Sequence, residues 1–259
     1  MKYSDLIAAW LSSMGYTHFF SVGGGNIMHL TESLSRKLIC IPVVNEVAAG
    51  IAVEYFNETS ASGNKALALV TAGPGLTNMV TAIAGAFLES RELLVIGGQA
   101  KTVDLARGKL RQRGIQEIDG VSIVKPITVL SELIDVVLTV DQFSSKIRAG
   151  SAGRKGPVFL EIPLDIQGAK VDPEILGLVP KAIDEGLMPQ VSAKAIAKVV
   201  EKFNQASRPV ILLGGGISRK TASRLSRELA DLGCPVMTTW NAADRIGSKQ
   251  ENYMGRPNT

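Results

Sequence analysis

Ile41-Pro42-Val43-Val44-Asn45-Glu46-Val47-Ala48-Ala49-Gly50-Ile51-Ala52-Val53-Glu54 is where the chain changes period. An apolar, strand-like run ends at Asn45-Glu46, and a helix of small residues begins at once. Glu46 therefore falls where a strand stops and a helix starts. A carboxylate at that junction is pulled two ways: burial against the apolar sheet edge disfavours its charge, and the positive end of the helix favours it. An acidic residue in a first helical turn is also what the dipole alone selects. The stretch by itself marks a strand–helix unit and leaves two readings of Glu46 open, proton chemistry and a simple helix start.

The same unit repeats on both sides. Upstream, Leu6, Ile7, Trp10, Leu11 and Met14 recur at helical spacing behind Ser4 as N-cap, and Gly15 ends the run. Phe19-Phe20-Ser21-Val22 is a short strand, Gly23-Gly24-Gly25 follows, and a helix extends from about Asn26 to Leu34. A strand near Leu38–Val44 leads into the quoted stretch, whose helix reaches about Asn57. Downstream come a polar loop (Ser60–Asn64), a continuous apolar strand (Ala66–Thr71), the turn Ala72-Gly73-Pro74-Gly75, and a helix to Ser90. Leu93–Gly98 is a further apolar strand that closes on glycines. Gln99 to Gly120 is polar, basic and aperiodic, and reads as a long loop of the functional kind. Leu130 to about Ala149 reads as mostly helical, and Pro157–Pro163 as the last strand of the domain.

Apolar strands alternating with helices, with glycine at the strands' C-terminal ends, predict an α/β domain with a doubly wound parallel sheet. Ligands of such domains bind at those C-terminal ends, where Glu46, Gly24 and Gly73–Gly75 all fall. We place this domain at residues 1–167, a Pro- and Gly-containing linker at 168–190, and a second, Rossmann-like α/β domain at 191–259. The second domain has a helix from Ser192, a strand at Pro209–Leu213, a helix over Thr221–Leu232 and a strand at Pro235–Thr239. Two strands bury little apolar surface for that fold, so it is expected to be incomplete. Its turn, Gly214-Gly215-Gly216-Ile217-Ser218-Arg219, has Arg where a dinucleotide fingerprint has its third glycine.

Composition narrows the function classes. The 259 residues carry a net charge of +4, with 46% hydrophobic and 20% charged residues, an ordinary globular balance. Aromatic residues are 5%, too few for base-stacking platforms, and the basic residues are scattered, so no nucleic-acid partner is expected. No apolar run is long enough to span a bilayer, and no signal peptide opens the chain, so no membrane role and a cytoplasmic location are expected. Cys40 and Cys234 read as two buried free thiols. The two histidines, His18 and His29, have no identifiable Ser or Cys partner, and no metal-ligand cluster is visible.

With these residues placed, the first domain resembles the pyrimidine-binding domain of thiamine diphosphate enzymes, most of all the acetolactate synthase and pyruvate oxidase branch. Phe19-Phe20-Ser21-Val22-Gly23-Gly24-Gly25 is similar to the family's first glycine turn, and Asn45-Glu46-Val47-Ala48-Ala49-Gly50 to its catalytic glutamate motif. Val70-Thr71-Ala72-Gly73-Pro74-Gly75-Leu76-Thr77-Asn78 is similar to its glycine-proline-glycine turn. Gln116-Glu117-Ile118-Asp119 and Gly156-Pro157-Val158-Phe159-Leu160-Glu161-Ile162-Pro163 complete the series, and Ile211–Ile217 is similar to the opening of the central domain. The resemblance implies a 2-oxo acid decarboxylase or carboligase. Glu46 would be its catalytic residue, hydrogen-bonding N1′ of the cofactor's aminopyrimidine and so favouring loss of the thiazolium C2 proton. Gly23, Gly24, Gly73, Pro74, Gly75 and Asn78 would line the cofactor with Glu46. Gln116 would face the substrate side of a neighbouring subunit's site in a homodimer or homotetramer.

The resemblance also implies Mg²⁺, held by a diphosphate-binding domain whose GDG…N motif does not occur here. It allows FAD in the central domain, where some relatives carry it. The chain is therefore expected to be the N-terminal part of a longer protein and inactive alone. The alternative is a regulatory or assembly module that keeps the fold without the chemistry. Departures from the family pattern bear on the substrate: Gly23 for proline, Asn45 for histidine, Ile115 for phenylalanine, and Arg91-Glu92 for a proline turn.

Overall fold

The computed structural model describes residues 1–60, 62–180 and 191–257. The chain divides into two compact units, Met1–Ala182 and Ile183–Thr259. The first contains α1 (Tyr3–Ser13), β1 (Tyr16–Ser21), α2 (Met28–Ser35), β2 (Ile39–Pro42), α3 (Glu46–Thr59), β3 (Lys65–Val70), α4 (Pro74–Leu88) and β4 (Leu93–Gln99). It continues with α5 (Gly120–Val124), β5 (Leu130–Leu133), α6 (Val140–Arg148), β6 (Pro157–Pro163), α7 (Leu164–Gln167) and α8 (Pro173–Leu176).

The six strands form one sheet in the order β2-β1-β3-β4-β6-β5, every pair parallel. The chain steps outward from β1 to β2, then crosses back to place β3 on the other side of β1. The sheet is doubly wound, as its glycine-closed apolar strands predict. The direction of winding reverses between β1 and β3, and an open sheet of this kind holds its ligand at that reversal.

Strand β4 shows why these strands read as unbroken apolar runs. Leu94 and Ile96 enter one core with Tyr3, Trp10, Leu30 and Phe143, while Leu93 and Val95 enter another with Val53, Met79, Ile83 and Phe159. With helices on both faces, neither set of alternating side chains meets water. On the second face, α3 and α4 approach closely because Gly50 has no side chain: a Cβ there would stand 2.4 Å from the Cβ of Ala82.

Several expectations are corrected. Residues 130–149 are not one helix. Leu130–Leu133 is an edge strand paired with β6, and α6 begins only at Val140, behind Thr139 as N-cap in a capping box with Gln142. The apolar residues Leu130, Leu133, Ile134, Val137 and Leu138 have helical spacing, but pairing with β6 overrides it. Ser4 is not the N-cap of α1. The helix starts at Tyr3, and the Ser4 hydroxyl is buried at 2.9 Å from that of Ser33. Cys40 lies exposed on β2, while Cys234 is buried.

The stretch expected as a linker, 168–190, is bound to the first unit over its first part. Tyr3 N donates to Ala169 O at 2.8 Å, and Lys2 bridges Lys170. The Trp10 indole donates to Gly177 O at 2.8 Å. Residues 181–190 lie outside the described residues, as does Ala61 of the polar loop.

The second unit holds α9 (Ala193–Gln205), β7 (Ile211–Leu213), α10 (Arg219–Arg224), α11 (Ser226–Asp231) and β8 (Val236–Thr238). β7 and β8 pair in parallel over a small core of Leu213, Val236 and Ile246. The helix expected over Thr221–Leu232 is two, separated at Leu225. Ser192 caps α9 by accepting from Ala195 N. Among the described residues no helix is long and apolar enough to cross a membrane.

Candidate active site

Three strand ends meet where the winding reverses: those of β2, β1 and β3. Asn45 follows β2 in extended conformation, and its side chain accepts from Ala48 N at 2.8 Å, which starts α3. Glu46 is thereby fixed in the first turn and buried, at 7% exposure. Its Oε2 accepts from Nδ2 of Asn78, one turn into α4, at 2.9 Å. Its Oε1 lies 3.4 Å from where a Cβ on Gly75 would stand.

Thr71, just past β3, links the rest. Its Cβ stands 2.3 Å from the position a Cβ on Gly24 would take, and its Cγ2 2.9 Å from that of Gly75. The Thr71 hydroxyl is buried with no hydrogen-bond partner, a cost that a bound group with a polar edge would relieve. Gly24, Thr71, Gly75, Glu46 and Asn78 thus form one contiguous cluster. Gly73, the N-cap of α4, has φ +64°, which glycine alone adopts readily. A Cβ there would also stand 2.6 Å from the carbonyl oxygen of Gln116. Gly23 is exposed with open space about it, and Pro74 is exposed at the first position of α4.

The long loop 100–119 closes over the glycine turns through its main chain. Gln116 is exposed, with φ +59°, and its backbone covers Gly73. Asn26 Nδ2 donates to Ile115 O at 3.2 Å, and Gln99 Nε2 to Ile118 O at 2.9 Å. Glu117 gathers the N–H groups of Ala106, Arg113 and Gly114. Partial burial pushes its carboxyl upward, but these three donors outweigh that and hold it below the ordinary value.

The tight spacing around Thr71 yields a test. Gly75→Ala is expected to destabilise the first unit by about 1–3 kcal/mol through overpacking. Thr71→Ser, which removes the obstructing methyl and keeps the hydroxyl, is expected to recover much of the loss. Urea titrations of both single variants and the pair would show no coupling if the contact does not matter.

Two residues of consequence carry no sequence-level assignment. Thr71 sat within the quoted glycine turn, and its signal is its place immediately between an apolar strand and AGPG. Glu161 sat within the last strand, where a lone acid among apolar residues was the signal. Glu161 is 3% exposed and its Oε1 has no partner. Burial pushes its carboxyl up to about 8, the charges of Asp119 and Glu117 adding to this and the Gln99 amide opposing it. The folded chain therefore holds a proton that the unfolded chain releases near the ordinary value of 4.5. The unfolded state binds fewer protons across that window, so stability falls as pH rises from about 5 to about 8, by up to about 1.4 kcal/mol per unit. Glu161→Gln is expected to flatten that decline in urea midpoints compared across the window.

Comparison with known proteins agrees with this geometry. The family described as thiamine pyrophosphate enzyme, N-terminal TPP binding domain, matches residues 1–123, and the thiamine pyrophosphate enzyme central domain matches residues 196–259. With both matches in order, around a glutamate-and-glycine cluster at the sheet's reversal, the chain belongs to the thiamine pyrophosphate enzymes. Within them it is of the acetolactate synthase and pyruvate oxidase type. It is 31% identical over 245 residues to the acetolactate synthase large subunit of Corynebacterium glutamicum, covering 92% of this chain and 37% of that protein. It is 31% identical over 231 residues to the acetolactate synthase isozyme 1 large subunit of Escherichia coli K12, covering 88% and 39%. It is 32% identical over 248 residues to the glyoxylate carboligase of Escherichia coli O157:H7, covering 92% and 40%. The chain thus spans about two fifths of the length of the curated relatives it matches.

Proposed function

We propose that this protein works in thiamine diphosphate-dependent decarboxylation or carboligation of a 2-oxo acid, and that Glu46 controls the protonation of the cofactor's aminopyrimidine. The observation that supports this reading best is the buried Glu46 carboxylate. One oxygen is fixed by Asn78, and the other is left uncommitted beside Gly75. The residues present fit the cofactor. Gly24 and Gly75, without side chains, make room for Thr71 between the two glycine turns, and the orphaned Thr71 hydroxyl offers a polar contact.

When bound, thiamine diphosphate supplies a thiazolium carbon that adds to a 2-oxo acid and accepts the electron pair left as carbon dioxide departs. The chain's own part is positional and acid–base. Asn78 orients the Glu46 carboxylate, and the start of α3 holds it at the strand ends. Glu46 would give its carboxyl proton to the pyrimidine ring nitrogen, an acceptor until it is protonated, and take it back. Gly24, Gly73, Pro74 and Gly75 let main chain approach the ring, with Gly23 at the exposed end of the first turn. Gln116, carried over Gly73 by its loop, faces the substrate side. The diphosphate and Mg²⁺ belong in this reading to a separate domain, and the chain by itself is inactive.

Self-association into a homodimer or homotetramer is part of the same proposal. Near Glu46, Val44, Ile51 and Tyr55 are 94%, 53% and 65% exposed, an apolar surface suited to a second copy. We do not extend the proposal to FAD. The test is carbon dioxide release from a panel of 2-oxo acids by the full-length protein with thiamine diphosphate and Mg²⁺. Release that depends on both supports the reading. Absence of cofactor binding would favour the regulatory or assembly module instead.

A further inference from the structure

A cavity of about 410 Å³ lies under the loop 105–121, at the C-terminal ends of β4, β5 and β6. That is a size typical of small-molecule sites. It shares no lining residue with the Glu46 cluster. Its floor carries the buried Glu161 carboxyl, and Leu105, Val121 and Leu133 supply apolar wall. The exposed Arg107 and Arg111 stand at its edge.

Most of the polar groups around Glu161 are committed elsewhere. Gln99 gives one N–H to Ile118 O, accepts from Ala100 N, and has only its second N–H for Glu161. Glu117 is taken by three backbone N–H groups, and Asp119 caps α5 through Ser122 N. Arg107 pairs with Asp135 at 3.2 Å, whereas Arg111 makes no ion pair among the described residues. The cavity therefore presents a carboxyl with one unpartnered oxygen, Oε1, at its floor, a free guanidinium at its edge and apolar surface between them. A carboxyl that keeps its proton donates to an acceptor, and the strongest acceptor of that kind is a carboxylate.

We propose that this cavity is a binding site for a small monocarboxylate with an apolar body, recognised by the Glu161 carboxyl and by Arg111. The charged groups facing Glu161 are Glu117, Asp119, Arg107 and Arg111, and the two acids favour retention of its proton. Ionisation of Glu161 puts a third negative charge at the site and expels the anion.

The probe is 2-methylpropanoate, titrated into the full chain and followed by the methyl NMR signals of Val121 and Leu133. Saturable binding is expected at about pH 6, weakened tenfold or more at about pH 9.5. Glu161→Leu is expected to weaken it tenfold or more, and Arg111→Ser several-fold. Glu161→Gln, which keeps an N–H donor, is expected to bind equally at both pH values. The uncharged 2-methylpropanamide is expected to bind at least tenfold more weakly than the acid. Glu46→Gln is expected to leave probe binding unchanged, so this site and the proposed cofactor site fail separately. The proposal is overturned by absence of saturable binding in the wild type, by undiminished binding in Glu161→Leu, or by a pH dependence that survives in Glu161→Gln. Because Glu161→Leu disturbs a buried position, the pH profile of the near-isosteric glutamine variant decides the matter if the leucine variant does not fold.

Discussion

Glu46→Gln in the full-length protein is expected to lower turnover of a 2-oxo acid by roughly 10²–10⁴-fold, the range lost when a positioned acid–base group is removed. The substitution keeps the shape of the side chain. An amide oxygen can still accept from Asn78, so the contact at 2.9 Å survives and the fold is expected to hold. What disappears is the charge, and with it the ability to share a proton with a ring nitrogen. The loss should therefore appear in kcat, while the unfolding midpoint stays close to that of the wild type. Thiamine diphosphate affinity is expected to fall far less than turnover, because the glycine turns proposed to admit the ring are untouched. Steady-state kinetics with cofactor titration separates these quantities. Wild-type turnover in this variant would reduce Glu46 to the helix-start residue that its sequence position alone equally permits.

Trp10→Ala is expected to carry the largest cost in stability, about 3–5 kcal/mol for the first unit. Trp10 is fully buried, with Tyr3 edge-on at 5.9 Å and Phe143 at 5.6 Å between ring centroids. It also donates to Gly177 O, so alanine opens a cavity and strips a carbonyl of its partner at the same time. Trp10→Phe separates the two effects. It refills most of the cavity but lacks the donor, and is expected to cost about 1 kcal/mol through the hydrogen bond, plus a smaller packing loss. Hydrogen exchange should then show earlier opening around residues 168–177 in the phenylalanine variant. If both variants lose the same amount, the indole N–H plays no part in holding that segment.

The sheet was legible because its strands are buried on both faces. Leu93–Gly98 and Ala66–Val70 are apolar without alternation, and glycine ends each turn, so element type follows from sequence alone. Strand β5 was not legible. Its residues are only half-buried at the sheet's edge, and their spacing fits a helix as well as a strand; pairing with β6 decides the matter. The helix-start position of Glu46 could be read, but its hydrogen bond to Asn78 depends on how α3 and α4 pack. The same holds for Glu161: its identity was visible, while the lack of a partner at its Oε1 depends on Gln99, Glu117 and Asp119, which lie far earlier in the chain. Cys40 was misjudged because an edge strand can be apolar in composition and still face water.

The position of β3 between β1 and β4 has a consequence for how the proposed cofactor site forms. Thr71, Gly75 and Asn78 reach Gly24 and Glu46 only after β3 has inserted beside β1, so the cradle cannot exist on a half-threaded sheet. A cofactor that grips this cradle rewards only the completed topology. A cofactor bound as proposed would therefore act as a lock on the finished fold, with no handle by which to guide the earlier steps of assembly.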